Sequence, residues 1–191
     1  MMEKCANTMT TWLIQSGVVE EEDRELYEYA AYSLLITISP LLLSVIFGIV
    51  MGRLIQSIIL IIPFMVIRKF SGGYHAKQAF VCFIWSSLLL ILCIYLSSCI
   101  KCNLLLGIVT IWALISLIVF SPIDSENRRL SQKEKKKYKT ISSILAIIFC
   151  YFSVIFYLLK LETYAVCFSI GIILSASLQI PCIYQRIRKM E

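Results

Sequence analysis

Leu54-Ile55-Gln56-Ser57-Ile58-Ile59-Leu60-Ile61-Ile62-Pro63-Phe64-Met65-Val66-Ile67 is followed by Arg68-Lys69-Phe70-Ser71-Gly72-Gly73-Tyr74-His75-Ala76-Lys77-Gln78, and then by Ala79-Phe80-Val81-Cys82 at the head of another apolar run. An apolar run, a basic glycine-bearing segment and a second apolar run read as two membrane crossings joined at the bilayer edge. The middle segment holds the only histidine of the chain, and a cysteine follows it seven residues later.

The same pattern extends outward in both directions. Hydrophobic residues make up 59% of the 191-residue chain, and mean hydropathy is +0.83. Soluble domains average about 45–50% apolar, so the excess calls for a lipid solvent. The runs fall at about 30–51, 54–67, 79–100, 104–120, 141–159 and 164–183. Most reach the ~20 residues that a ~30 Å hydrocarbon core requires. The 54–67 run is short, with Pro63 near its end, and a re-entrant segment competes with a full crossing there. Pro40 implies a kink in the first run. The expected fold is all-α: a polytopic membrane protein of about six transmembrane helices.

Residues 1–29 read as a cytoplasmic amphipathic segment. Met9, Trp12, Leu13 and Ile14 offer a stripe for an interfacial helix, and Gly17 is a stop after it. The segment lacks the apolar core of a signal peptide. Residues 30–183 form the expected transmembrane domain, and 184–191 a basic cytoplasmic tail.

Charge fixes the expected orientation. With six crossings and both termini inside, the inner segments hold 15 of the 18 Lys and Arg residues. The outer turns hold only Arg53, Lys101 and Lys160, which the positive-inside rule favours. The location is then the cell membrane, multi-pass, with both termini cytoplasmic. The net charge of +6 is explained by anionic lipid rather than nucleic acid, because the basic residues flank apolar runs.

No metal or other cofactor is expected. Most of the eight cysteines lie in apolar runs, where cysteine behaves as a small hydrophobe. One histidine and a single CxxC, Cys99 and Cys102, do not make a zinc set.

His75 and Cys82 are the candidate chemistry. As a pair, Cys82 is a nucleophile and His75 its general base. Read blandly, His75 is a solvated loop residue and Cys82 is packing. On one straight helix they would share a face but lie ~10 Å apart along the axis at 1.5 Å per residue. Catalysis therefore needs Gly72-Gly73 to fold His75 back, which paired glycines permit. Arg68, Lys69 and Lys77 add positive potential that favours a thiolate, as does the first turn of the third span. Gln78, Ser71 and Tyr74 are candidate orienters of the histidine. The basic loop with Lys135, Lys136 and Lys137 either holds an acidic peptide segment or only fixes topology.

Arg68-Lys69-Phe70-Ser71-Gly72-Gly73-Tyr74-His75-Ala76 with Cys82, in a multi-span chain of this length, resembles the accessory gene regulator B (AgrB-like) family. The segment from Ser121-Pro122-Ile123-Asp124 to Asn127-Arg128-Arg129-Leu130 is also similar to that family's polar loop. The resemblance implies a membrane cysteine endopeptidase of peptide quorum sensing. It implies that Cys82 is the nucleophile and His75 the base, acting on a small AgrD-like precursor peptide. The precursor would be cleaved near its C-terminal end and cyclised to a thiolactone or lactone. A homodimer is implied on the same ground.

Two other functions compete. A small transporter or permease would be expected to carry ionisable residues within its spans, and these spans lack them; Gln56 and Gln179 are the strongest polar groups at depth. A non-catalytic membrane adaptor would have no need of His75 and Cys82.

Overall fold

The structure is a computed structural model that describes residues 2–72, 79–123 and 131–188. The described residues form α1 (Met2–Gln15), a 3-10 turn (Glu21–Asp23), α2 (Arg24–Val50), α3 (Leu54–Ser71), α4 (Ala79–Cys99), α5 (Leu104–Phe120), α6 (Gln132–Leu158), α7 (Glu162–Ser177) and α8 (Ile180–Arg188). No strand occurs among them, and the fold is all-α. The chain divides into two compact units, Met1–Leu43 and Ser44–Glu191.

In the first unit, Gly17 takes a left-handed φ of 71° two residues beyond α1, a conformation that glycine adopts without a Cβ penalty. Arg24 then caps the entry to α2 from the side. Its Nε and Nη2 donate to the Glu21 carboxylate at 2.5 and 3.0 Å, and its Nη1 donates to Thr11 Oγ1 at 3.2 Å. These bonds tie the turn to α1 and set the start of a 27-residue helix, ~40 Å long at 1.5 Å per residue. Pro40 lies inside α2, and the helix continues past it.

The second unit is built around α7. Helices α3, α5 and α6 all pack against it, and α4 does so less extensively. The sequence of α7 explains why: Ala165, Cys167, Ser169, Gly171, Ser175 and Ala176 are small and buried. Small residues let helix backbones approach closely where lipid supplies no hydrophobic drive between helices. At Gly171 the approach is closest. A Cβ there would meet Pro63 Cγ at 2.6 Å and the Leu60 carbonyl oxygen at 2.7 Å. Pro63 therefore does not end the third helix, which runs on to Ser71; its ring fills the contact with α7 instead.

Polar side chains bridge the same helices. Ser153 on α6 donates to the Ala165 carbonyl at 3.0 Å and lies 2.9 Å from Ser169 Oγ on α7. Phe149, Phe152 and Phe156 of α6 surround the Phe168 ring at centroid distances of 6.1, 5.9 and 5.4 Å. Ile67, Ala113, Leu117, Ala146, Phe149, Ile172 and Ala176 close the core between α3, α5, α6 and α7.

The outward faces are as apolar as the inward ones. On α5 the buried stripe is Leu106, Thr110, Ala113 and Leu117, while Leu104 is 82% and Trp112 70% exposed. Helix α6 repeats this, with Ile144, Ile147 and Tyr151 outward. Apolar surface on this scale is not left in water by a soluble monomer. Four helical stretches, Glu21–Val50, Leu54–Ser71, Gln132–Leu158 and Glu162–Tyr184, are long and apolar enough to cross a bilayer. Shorter apolar helices run over Ile84–Cys99 and Leu104–Phe120. The protein is a membrane protein.

Candidate functional site

The basic segment singled out in the sequence is partly helix. Arg68, Lys69, Phe70 and Ser71 form the last turn of α3, with the two cations at the helix C-terminus, where the macrodipole favours positive charge. Arg68 lies over the Phe64 ring at 5.4 Å and Lys69 over Phe70 at 5.9 Å. Phe70 in turn meets Tyr138 of α6 edge-on at 5.8 Å. This contact brings the end of α3 beside the start of α6.

Gly72 caps α3. Its N–H donates to the Arg68 carbonyl at 3.1 Å, and its φ is +71°. A side chain here would be strained by that backbone angle and would run into the Ile123 carbonyl oxygen. The glycine is required both for the turn and for the close passage of the chain leaving α5.

Ser71 is fully buried and is the point where three helix ends meet. Its carbonyl accepts the Ile123 N–H at 2.9 Å and the Gln179 amide at 3.3 Å. The last carbonyls of a helix have no partner within it, and these two donors supply one. The Gln179 Nε2 also donates to Ser121 Oγ at 2.9 Å. Thus the C-terminal ends of α3, α5 and α7 are tied together through one amide. Gln179 is fully buried, and its Oε1 has no hydrogen-bond partner among the described residues. The sequence marks Gln179 only as a deep polar residue; nothing in its spacing connects it to a segment 108 positions earlier.

Helix α4 returns toward the start of α3. Tyr95, near its C-terminal end, lies within electrostatic reach of Arg53, the residue before α3. The two helices are therefore antiparallel, and α4 starts at the Ser71 end. Cys82 is the fourth residue of α4, in its first turn. Gly73, Tyr74, His75, Lys77 and Gln78 lie outside the described residues.

Lys135, Lys136 and Lys137 are on a helix rather than in the loop the sequence implies. A capping box starts α6 early: Ser131 Oγ accepts the Glu134 N–H at 3.3 Å, and Glu134 Oε2 accepts the Ser131 N–H at 2.8 Å. The lysines fall in the first two turns of α6, at the end where α3 finishes. Lys136 and Lys137 are exposed and Lys135 half-buried. At the opposite end, Cys99 and Cys102 are both free thiols. Burial, aided by the Glu162 carboxylate, pushes the Cys102 thiol up.

Comparison with known proteins gives one family. The model of "Accessory gene regulator B" matches residues 6–181. An AgrB-like protein 2 of Clostridium perfringens strain 13 is 26% identical over 126 residues, covering 62% of this chain and 59% of the relative. An AgrB-like protein of Clostridium perfringens strain SM101 is 25% identical over 126 residues with the same coverage. The chain thus matches about three-fifths of the length of these relatives. No solved structure matches the chain significantly.

Proposed function

The chain belongs to the accessory gene regulator B family, and from that premise we propose that it is a membrane cysteine endopeptidase of quorum-sensing peptide processing. It cleaves the C-terminal part of a small AgrD-like precursor through an acyl-enzyme on Cys82 and promotes cyclisation of the remainder. The observation that carries this reading is the position of Cys82 in the first turn of α4, at the end where α3 finishes and the lysines of α6 begin. The N–H groups of a first helical turn favour a thiolate over a thiol.

The reaction runs in two transfers. His75 takes the Cys82 proton, and the thiolate attacks a precursor carbonyl. The C–N bond breaks, and the departing amine takes the proton from the imidazolium. The N-terminal part of the precursor is left as a thioester on Cys82. A cysteine thiol or serine hydroxyl of the same peptide then attacks that thioester. Its proton passes by way of His75 to the Cys82 sulfur, which leaves, and a thiolactone or lactone ring closes. The attack is intramolecular, which proximity favours, and hydrolysis competes unless water is excluded. The apolar faces around the site serve that exclusion.

Arg68 and Lys69 at the end of α3 and Lys135, Lys136 and Lys137 on α6 supply positive potential for an acidic segment of the precursor. Ser71, Gly72, Gly73 and Gln78 support the histidine. The site faces the cytoplasm, as the distribution of basic residues favours, with six crossings, both termini inside, anionic lipid at the inner leaflet and a homodimer as the assembly. Against a transport function stands the chemistry of the interior. The buried polar residues among those described are serines, threonines and Gln179, none of them ionisable, whereas ion-coupled pathways carry ionisable groups.

The test is cleavage of a co-expressed precursor, an amphipathic peptide with a central Cys or Ser and an acidic end. Cys82→Ala and His75→Ala are expected to abolish processing while the protein stays in the membrane. Cys82→Ser preserves size and is expected to lose at least a hundredfold in rate. Normal processing by Cys82→Ala would end the reading.

A further inference from the structure

Among the described buried polar residues of the second unit, Gln179 alone joins three helix ends by its side chain. The acceptor it meets at Ser71 is a backbone carbonyl, which accepts only, so the amide nitrogen must face it and the orientation of the amide is fixed. The same nitrogen reaches Ser121 Oγ, 58 residues away in sequence. Ser71 is the last residue of α3, and His75 follows four residues later. Both bonds therefore act where the chain leaves α3 for His75. The Oε1 of this amide is buried without a partner among the described residues.

We propose that Gln179 is a positioning residue for the His75–Cys82 pair: its amide locks the end of α3 to the ends of α5 and α7 and so fixes the point from which the histidine segment departs. The proposal rests on the cysteine-peptidase reading above. Gln179 does not touch the reacting atoms. It acts through the Ser71 carbonyl, and through the close passage of Ile123 beside Gly72, whose lack of a side chain permits it. The lock reaches α4 as well, because α4 starts at this end and packs on both α3 and α7.

The experiment reads the reactivity of Cys82 directly. The full-length protein in nanodiscs is treated with iodoacetamide at neutral pH, and the rate of Cys82 alkylation is followed by mass spectrometry of its peptide. His75→Ala is expected to slow alkylation, because the thiolate loses its base. Gln179→Met, close in volume and without donors, is expected to slow it at least fivefold. Ser121→Ala, which removes one arm of the lock and leaves the Ser71 bond, is expected to slow it two- to threefold. Loosening or unfolding of the bundle would act in the opposite direction, by exposing the thiol and speeding its alkylation. If Gln179→Met speeds alkylation, Ser121→Ala decides: a slowed rate supports the lock, and an unchanged or faster one overturns it. A slowed His75→Ala with an unchanged Gln179→Met overturns this inference alone. An unchanged His75→Ala ends the dyad reading and the positioning role with it.

Discussion

Gly171 sets the distance between the two most intimately packed helices. A methyl group there would meet a proline ring and a backbone carbonyl, and neither can swing aside as a long side chain would. Gly171→Ala is expected to lower stability by about 1–3 kcal/mol, the usual range for forcing atoms into a packed interior. Thermal unfolding in detergent checks this, with Gly107→Ala as the control, because a Cβ at Gly107 meets nothing within 4 Å. The contact also gives Pro63 a role. In the sequence it reads as a weak point that ends a short run, whereas in the fold its ring is the surface on which Gly171 rests. A proline's meaning depends on what packs against it, and that partner lies more than a hundred residues away in the chain.

At the level of elements, the six apolar runs were legible because lipid imposes one requirement on every outward face: it must be apolar for ~20 residues. The ends of the helices were harder to read. Arg68–Ser71 and Lys133–Lys139 look like loops by charge, yet both are helical. Lysine and arginine are good helix formers, and the Ser131/Glu134 capping box begins α6 ten residues before its apolar stretch at Ile141. That box is written in the sequence as Ser-x-x-Glu and is a usable start signal; the charge run masks it. The tie between Ser71, Ser121 and Gln179 has no such signature, since it joins residues with no periodic relation. Placing the lysines on a helix changes what they are able to do. Consecutive helical positions lie about 100° apart, so Lys135, Lys136 and Lys137 fan over roughly 200° at the start of α6, with Lys136 and Lys137 exposed. Replacing the three with Gln is expected to raise the KM for an acidic precursor about tenfold at low salt and to leave kcat within about twofold. The difference should shrink toward physiological ionic strength, where the Debye length is ≈ 8 Å. Steady-state kinetics at two salt concentrations measure both effects.

For the whole molecule, the telling arrangement is that the centre of the second unit is α7, next to last in the chain. Helix α3 sets Leu60 and Pro63 against it at Gly171, and α6 adds Ser153, whose hydroxyl is satisfied by the Ala165 carbonyl and Ser169. A chain cut before Tyr164 lacks this partner throughout. It is expected to insert but to be cleared from the membrane several times faster than the full chain, as pulse-chase labelling would show. Co-expression of residues 160–191 as a separate fragment is expected to restore it in part.

The central position of α7 also bears on timing. Chains are made from the N-terminus at about 5–20 residues per second, so the end of α3 is made roughly 5–20 s before Gln179, 108 residues later. During that interval the Ser71 carbonyl at the end of α3 has no Gln179 amide to accept from. If Gln179 positions the His75–Cys82 pair as proposed above, the nucleophile is armed only when the last helices have been delivered, and an unfinished chain is expected to be unable to act on itself or on its neighbours.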